Sequence, residues 1–209
     1  KGWQGQLQKL LWQGTRSSTQ TVLEAQPVSL SVMPESGGQR LRLGASRLTV
    51  MGMTLNLQSL QGLWVAGESG GVTEADLRLQ VPPQNLPALL QRWQPEGGWG
   101  GNLAVGGDVQ VRHSRAQPWA VDVVLARQSG DVTLSEPTIE GNSQQPLGIT
   151  EARVVLQARN GVWRLTELFE GRVLGRLSGE QVVQAAAPDR LPAGTDALSG
   201  TLNVQIGSL

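Results

Sequence analysis

The sequence predicts a mostly β protein with one short helix. Its clearest segment, residues 103–113, alternates apolar and polar side chains, so that Leu103, Val105, Val109 and Val111 fall on one side. An alternation with a period of two residues is typical of a strand with one face out of water. Similar segments recur along the chain between glycines, which number 27 of 209 residues and make up about twice the usual share.

The first half of the chain contains a series of short predicted strands. They cover residues 3–12, 21–25, 28–33, 41–50, 53–57, 63–65 and 75–81. Residues 41–50 are predicted to form a hairpin around Gly44, and the apolar residues from Ala75 to Val81 share one face. Clusters of Gly, Pro, Ser and Thr predict turns at residues 14–18, 34–38 and 68–71.

One stretch has the pattern of a helix. Four apolar residues from Leu86 to Trp93 recur at helical spacing and form a single stripe, which predicts a helix over residues 84–93. Proline on both sides bounds it. A helix of this length is not stable alone, so we expect it to pack on a sheet edge or between two strand sets. The alternative, a helix at a membrane interface, requires more basic residues than the single Arg92.

The second half of the chain contains longer predicted strands. They cover residues 102–113, 119–127, 130–134, 147–158, 161–169, 171–178 and 198–206, with a loop at 188–194. We interpret residues 1–209 as one elongated β domain in which the helix separates strand sets 1–81 and 99–209. Because the chain opens at Lys1 without a methionine, we interpret it as a fragment of a longer protein.

Composition argues against several function classes. The 17 basic and 17 acidic residues balance and are scattered, so no basic track for nucleic acid is expected. There is no cysteine and a single histidine, His113, at the end of a predicted strand, where we expect it to be exposed. One histidine and isolated carboxylates supply neither a metal site nor a catalytic triad. We therefore expect no enzymatic activity, no metal and no cofactor.

Four short segments resemble a known family. Arg127–Leu134 has the pattern R-x-S-G-D followed by apolar residues, and Pro146–Ile149 leads into an alternating strand. Leu191–Gly194 and Leu198–Val204, the latter with the pattern L-S-G-x-L, follow near the end. These segments resemble the TamB family of the translocation and assembly module, within the AsmA-like superfamily. The resemblance is best over residues 99–209.

The resemblance implies a fold and a function. The fold is an elongated, curved antiparallel or mixed sheet, folded into a taco-like or open-sandwich groove with an apolar interior. The function is to carry phospholipid between the inner and outer membranes and to support outer-membrane protein assembly. The whole protein is expected in the periplasm, anchored in the inner membrane, and its contact with an outer-membrane barrel partner is expected outside this fragment.

The strand pattern is compatible with such a groove. Medium-sized Leu and Val side chains on two facing walls can leave a channel unfilled, and an acyl chain there gains about 0.8 kcal/mol per buried methylene. No directional contact is needed, so phospholipid acyl chains could slide. The candidate groove residues are Leu103, Val105, Val109, Val111, Val121, Val123, Leu125, Val154, Leu156, Leu202, Val204 and Ile206. Val124 interrupts the alternation of residues 119–127 and leaves the inward face of that strand open.

Two other functions remain open at this point. The first is a structural or adhesive β-sandwich domain with a solid core and only protein partners, since glycine-broken strands and a neutral surface suit it equally. The second is a protein resembling the type II secretion N proteins, which shares the fold and differs in its partner. Bound lipid would favour the groove, whereas a dry and filled interior would favour the sandwich.

Overall fold

The computed structural model describes residues 2–13, 21–50, 53–65, 71–139, 141–173 and 175–207. In these residues strands predominate and a single α-helix is present, so the predicted mostly β fold is confirmed. The turn predicted at 14–18 and most of the loop predicted at 68–71 lie outside the described residues. The strands are β1 Trp3–Leu7, β2 Leu10–Gln13, β3 Thr21–Gln26, β4 Val28–Glu35, β5 Gly38–Leu43, β6 Ser46–Val50, β7 Met53–Val65, β8 Gly71–Asn85, β9 Trp99–Gly101, β10 Ala104–Ser114, β11 Gln117–Ser129, β12 Val132–Thr138, β13 Gly141–Pro146, β14 Ile149–Arg159, β15 Val162–Gly171, β16 Gly175–Gln184 and β17 Leu198–Ile206.

Fourteen of these strands form one antiparallel sheet. Its main path runs β1-β4-β5-β7-β8-β10-β11-β14-β15-β16-β17. Strands β2, β3 and β6 form a branch that joins the path at β7. Most neighbours in the path are also neighbours in sequence, as expected for strands joined by short turns.

The branch continues the strands of the main path. Leu30 of β4 pairs with Leu43 of β5. Moving the same number of residues back from Leu30 and forward from Leu43 reaches the next pair, Ala25 of β3 and Leu48 of β6. The register is therefore unbroken, and β3–β4 and β5–β6 are the halves of two long strands that are interrupted at their middle. The hairpin predicted around Gly44 was wrong, because β5 and β6 both pair with β7 and not with each other. Strands β1 and β2 are related in the same way, since Leu7 pairs with Val28 and Leu10 with Ala25.

These interruptions lie side by side and mark a bend across the sheet. Proline interrupts the first long strand at Pro27, where a ladder N–H is missing. The neighbouring strand is interrupted at Gly44, and β7 carries a register shift directly after Leu57. The side chains closest to the bend are buried, with Ala25 2% and Val28 1% exposed. The sheet is thus sharply bent where small or medium side chains fill the corner.

The helix α1, Leu86–Trp93, leaves the sheet and returns to it. Asn85 caps its start by accepting a hydrogen bond from the Ala88 N–H at 2.9 Å, and Pro87 occupies the first turn, where no N–H is needed. Helix α1 is two residues shorter than predicted, because residues 84 and 85 still belong to β8. Strands β8 and β10, on either side of the helix, pair with each other, so the sheet continues across it.

A second, three-stranded sheet of order β13-β12-β9 lies at one end of the large sheet's strands. The best-packed cluster of the described residues joins the two sheets and comprises Leu103, Val132, Ile149 and Ala152. Leu86 of the helix and Phe169 of β15 pack against it. The helix and the small sheet are therefore anchored on one side of the large sheet.

The chain exposes far more surface than a compact protein of its size. Its accessible surface is 13471 Å² for 22.3 kDa, whereas a compact monomer of that mass exposes about 9,400 Å². Most apolar residues on the large sheet are only half-buried, and the fully buried apolar residues are few. The interior is therefore not filled like that of a closed sandwich.

Candidate apolar groove

One face of the large sheet, which we call the inner face, is apolar across many strands. A row of directly paired residues crosses six strands, from Leu57 of β7 to Leu165 of β15. Its members are Leu57, Leu79, Val109, Val123, Leu156 and Leu165. Paired residues point to the same face, so this row is a continuous aliphatic track. Five strand spacings of about 4.8 Å make it about 24 Å long.

A second row lies beside the first. It contains Leu43, Leu60, Leu77, Val111, Val121, Ala158, Trp163, Val183 and Leu198. The first row has a polar residue next to each end, Ser46 beyond Leu57 and Gln181 beyond Leu165. The inner face therefore carries at least two parallel apolar rows that run across the strands.

Eleven of the twelve predicted groove residues lie on strands and share this inner face. They are Val105, Val109, Val111, Val121, Val123, Leu125, Val154, Leu156, Leu202, Val204 and Ile206. The sequence did not decide which face of β11 points inward. In the structure Val121, Val123 and Leu125 point inward, and Val124 points outward opposite Asp108. The twelfth, Leu103, precedes β10 and is 1% exposed in the packed cluster beside the small sheet.

The predicted residues differ in how open they are. Leu202, Val204 and Ile206 are 57%, 57% and 78% exposed, because β17 ends the strand path and pairs only with β16. Val121 is 5% exposed, and the remaining strand members are half-buried. The face is thus half-buried from β10 to β14 and open along β17.

A partly open apolar cavity on this face lies in the first half of the chain. Its volume is about 270 Å³, and Ser46 is the one polar residue among those that line it. The lining residues are Ala25, Val28, Leu43, Ser46, Leu48, Val50, Leu55, Leu57, Leu60, Leu77 and Leu79. They come from both sides of the bend. Because residues from the two arms face one space, the inner face is the concave side of the bend.

None of the predicted groove residues lines this cavity, because all of them lie in residues 99–209, where the family resemblance is best. A sequence signal for the cavity is the alternation of Leu77 and Leu79 in β8 and of Leu55 and Leu57 in β7. Register then placed both halves on one face, which local alternation alone cannot do.

The opposite, outer face carries most of the charged residues of the sheet, while Arg127 and Glu167 are on the inner face. Arg78 and Asp76, Arg159 and Asp122, Arg164 and Glu180, and Arg176 and Glu170 form ion pairs there, at 3.8, 2.7, 3.4 and 3.0 Å. These pairs are exposed, so each contributes little to stability. Their consequence is that one side of the sheet is well hydrated and the other is apolar.

Two structures border the inner face at opposite ends of its strands. The helix and the small sheet lie at one end, held by the cluster around Leu103. At the other end, the loop that follows β16 crosses back toward β11, and the indole N–H of Trp119 donates to the carbonyl oxygen of Asp189 at 2.9 Å. The loop predicted at 188–194 is present there. The inner face is therefore bordered at both ends of its strands.

His113 does lie at the end of its strand, but the expectation that it is exposed was wrong. It is half-buried and stacks on Trp119 with ring centroids 4.3 Å apart and planes 7° from parallel. Among the described residues, no group of three or more His, Cys, Asp or Glu side chains could hold a metal ion. No described helix is long and apolar enough to cross a membrane.

Comparison of the chain with protein-family models, with curated proteins and with solved structures found no match.

Proposed function

We propose that this chain is a segment of a cell-envelope protein whose inner face holds the acyl chains of phospholipids. The observation that carries the proposal is the aliphatic track from Leu57 to Leu165, which continues into the cavity at the bend. A track without directional contacts suits a ligand that slides. In the whole protein the role is phospholipid transport through the periplasm from an inner-membrane anchor, with an outer-membrane barrel as a partner of other parts.

The physical driving force is burial of methylene groups. Each methylene that leaves water gains about 0.8 kcal/mol. A dry apolar cavity of about 150 Å³ is enough to bind benzene, and the space at the bend is about 270 Å³. The half-buried leucines along the track gain burial in the same step, so both the ligand and the protein lose apolar surface to water.

The direct test is lipid extraction of the purified chain followed by mass spectrometry. We expect co-purifying phospholipid, and uptake of a fluorescent fatty acid after delipidation. Absence of both, with the inner face inaccessible to apolar probes, would favour the structural or adhesive β-domain. A protein of the secretion N kind would bind lipid in the same way and would differ only in its protein partner.

A matched pair of variants tests the location. Val109 lies on the inner face between Leu79 and Val123, and its neighbour Gln110 lies on the outer face between Arg78 and Asp122. Val109→Asp is expected to weaken fatty-acid binding about tenfold or more, since a carboxylate would have to share an apolar track. Gln110→Asp adds the same charge to the hydrated face and is expected to leave binding unchanged. If Val109→Asp unfolds the protein instead, the position belongs to a closed core and the proposal fails there.

A further inference from the structure

Glu167 is the one carboxylate on the inner face among the described strand residues of the large sheet. It pairs with Val154 on one side and Gly179 on the other, and Leu165 and Phe169 flank it on its own strand. The other strand carboxylates of the sheet lie on the outer face. A charge on an apolar surface is unfavourable unless it has a partner, so this position calls for an explanation.

The carboxylate is held in place but is not neutralised. The Gln181 side-chain N–H donates to its Oε1 at 2.7 Å. None of the ion pairs between described residues includes Glu167. A carboxylate has about four acceptor positions, so most of its hydrogen-bonding capacity is unused by the protein. The amide oxygen of Gln181 is a further acceptor beside it.

Two glycines lie next to this pair on the neighbouring strands. Gly179 lies opposite Glu167, and a Cβ there would stand 2.5 Å from Oε1 of the glutamate. Gly200 lies opposite Gln181 on β17. The Glu167 carboxylate therefore lies over the backbone of Gly179, and the apolar row that contains Leu125 and Val154 is interrupted by this half-buried polar pair.

We infer that the Glu167–Gln181 pair receives the primary ammonium group of an ethanolamine phospholipid. This inference rests on the proposed function, because the lipid's acyl chains would occupy the apolar rows beside the pair. An ammonium group has three N–H donors, which suit two carboxylate oxygens and the neighbouring amide oxygen. A quaternary ammonium has no N–H and would gain only the charge attraction.

The test compares lipids that differ only in the head group. Phosphatidylethanolamine, its N-acetyl derivative and diacylglycerol with the same acyl chains compete with a fluorescent fatty acid for the delipidated protein. We expect phosphatidylethanolamine to bind about fivefold more tightly than its N-acetyl derivative, as for a partly exposed ion pair. Glu167→Gln should bring this ratio to about one and leave diacylglycerol binding unchanged. Glu180→Gln, on the outer face of the adjoining strand, should keep the ratio.

A second variant is expected to raise the ratio, so its effect cannot be mistaken for loss of binding through a folding defect. Gln181→Glu places a second carboxylate beside the first and is expected to raise the ratio. An unchanged ratio in Glu167→Gln or a lower one in Gln181→Glu would overturn the inference, as would a wild-type ratio near one. In each of these cases binding of diacylglycerol would leave the proposed function standing. If diacylglycerol and the fatty acid do not bind either, it is the proposed function that fails.

Discussion

The Asp131 carboxylate accepts a hydrogen bond from the backbone N–H of Ile149 at 2.8 Å. It also accepts one from the N–H of Gly148 at 2.9 Å and one from its neighbour Val132 at 2.8 Å. Asp131 belongs to the R-x-S-G-D segment and Ile149 to the second segment on which the family resemblance rests. The described contacts give both segments a structural role, because they fasten the small sheet to the start of β14.

Removal of this carboxylate is expected to destabilise the protein. Asp131→Ala leaves three partly buried N–H groups without their acceptor, which we expect to cost about 3 kcal/mol. Asp108→Ala, on the exposed outer face of β10, serves as the control and should change stability by less than about 0.5 kcal/mol. Chemical denaturation of the two variants measures both values. Equal midpoints would show that the N–H groups find other acceptors.

Gly107 marks a place where two strands approach closely. A Cβ added there would stand 1.8 Å from the backbone oxygen of Val124, and this contact can be relieved only if the strands separate. Glycine inside a strand commonly marks such an approach. Gly107→Ala is therefore expected to cost about 3 kcal/mol.

The control for this variant is a glycine with free space. Gly71 begins β8, and a Cβ there would meet nothing within 4 Å. Gly71→Ala should change the unfolding free energy by less than about 0.5 kcal/mol. A Gly107→Ala protein as stable as Gly71→Ala would mean that β10 and β11 are further apart than described.

Local alternation predicted most of the strands and, within each strand except β11, which of its residues share a face. It succeeded because side-chain direction depends only on the strand's own period. The bounds of β17 coincide with the prediction for 198–206. Exposure could not be predicted, since Val204 and Val109 have the same local pattern and differ only in that β17 ends the strand path.

Two features depended on contacts distant in sequence. Strand β13, Gly141–Pro146, has no large apolar residue and no alternation, yet it pairs along its full length with β12. The bend at Pro27 and Gly44 and the cavity beside it arise from several strands that are interrupted at matching positions. Neither pairing partners nor matched interruptions can be read from one segment at a time.

Filling the cavity at the bend is expected to lower fatty-acid binding without lowering the stability of the protein. Ala25 is 2% exposed and lines the cavity. Ala25→Leu should place its extra carbons in free space, keep the unfolding free energy, and lower fatty-acid binding. Ala158 is also buried, at 0%, but lies outside the cavity between Val121 and Trp163. Ala158→Leu should therefore overpack the sheet and cost about 1–3 kcal/mol. Comparable losses of stability in both variants would contradict the presence of usable space beside Ala25.

The contact between Arg40 and Glu35 is expected to make the stability of the protein depend on pH. The Arg40 guanidinium donates hydrogen bonds to Glu35 and, at 2.8 Å, to Glu74. The hydrogen bond to Glu35 is the main cause that holds the pKa of this carboxyl below its ordinary value of 4.5. A carboxyl whose pKa is lower in the folded state stabilises the protein above its unfolded pKa. The contribution is lost as the pH falls through the folded pKa.

Glu35→Gln should therefore lower the Tm at about pH 7, and its difference from the wild type should shrink toward about pH 3. The effect is expected to be small, because Glu35 is exposed and solvent screens the pair. Glu96→Gln, an exposed carboxylate in the turn after α1, is the control and should leave the Tm unchanged at both values. Thermal unfolding followed by circular dichroism measures all three proteins. A Tm difference for Glu35→Gln that is the same at both pH values would mean that the ionised Glu35–Arg40 pair does not stabilise the fold.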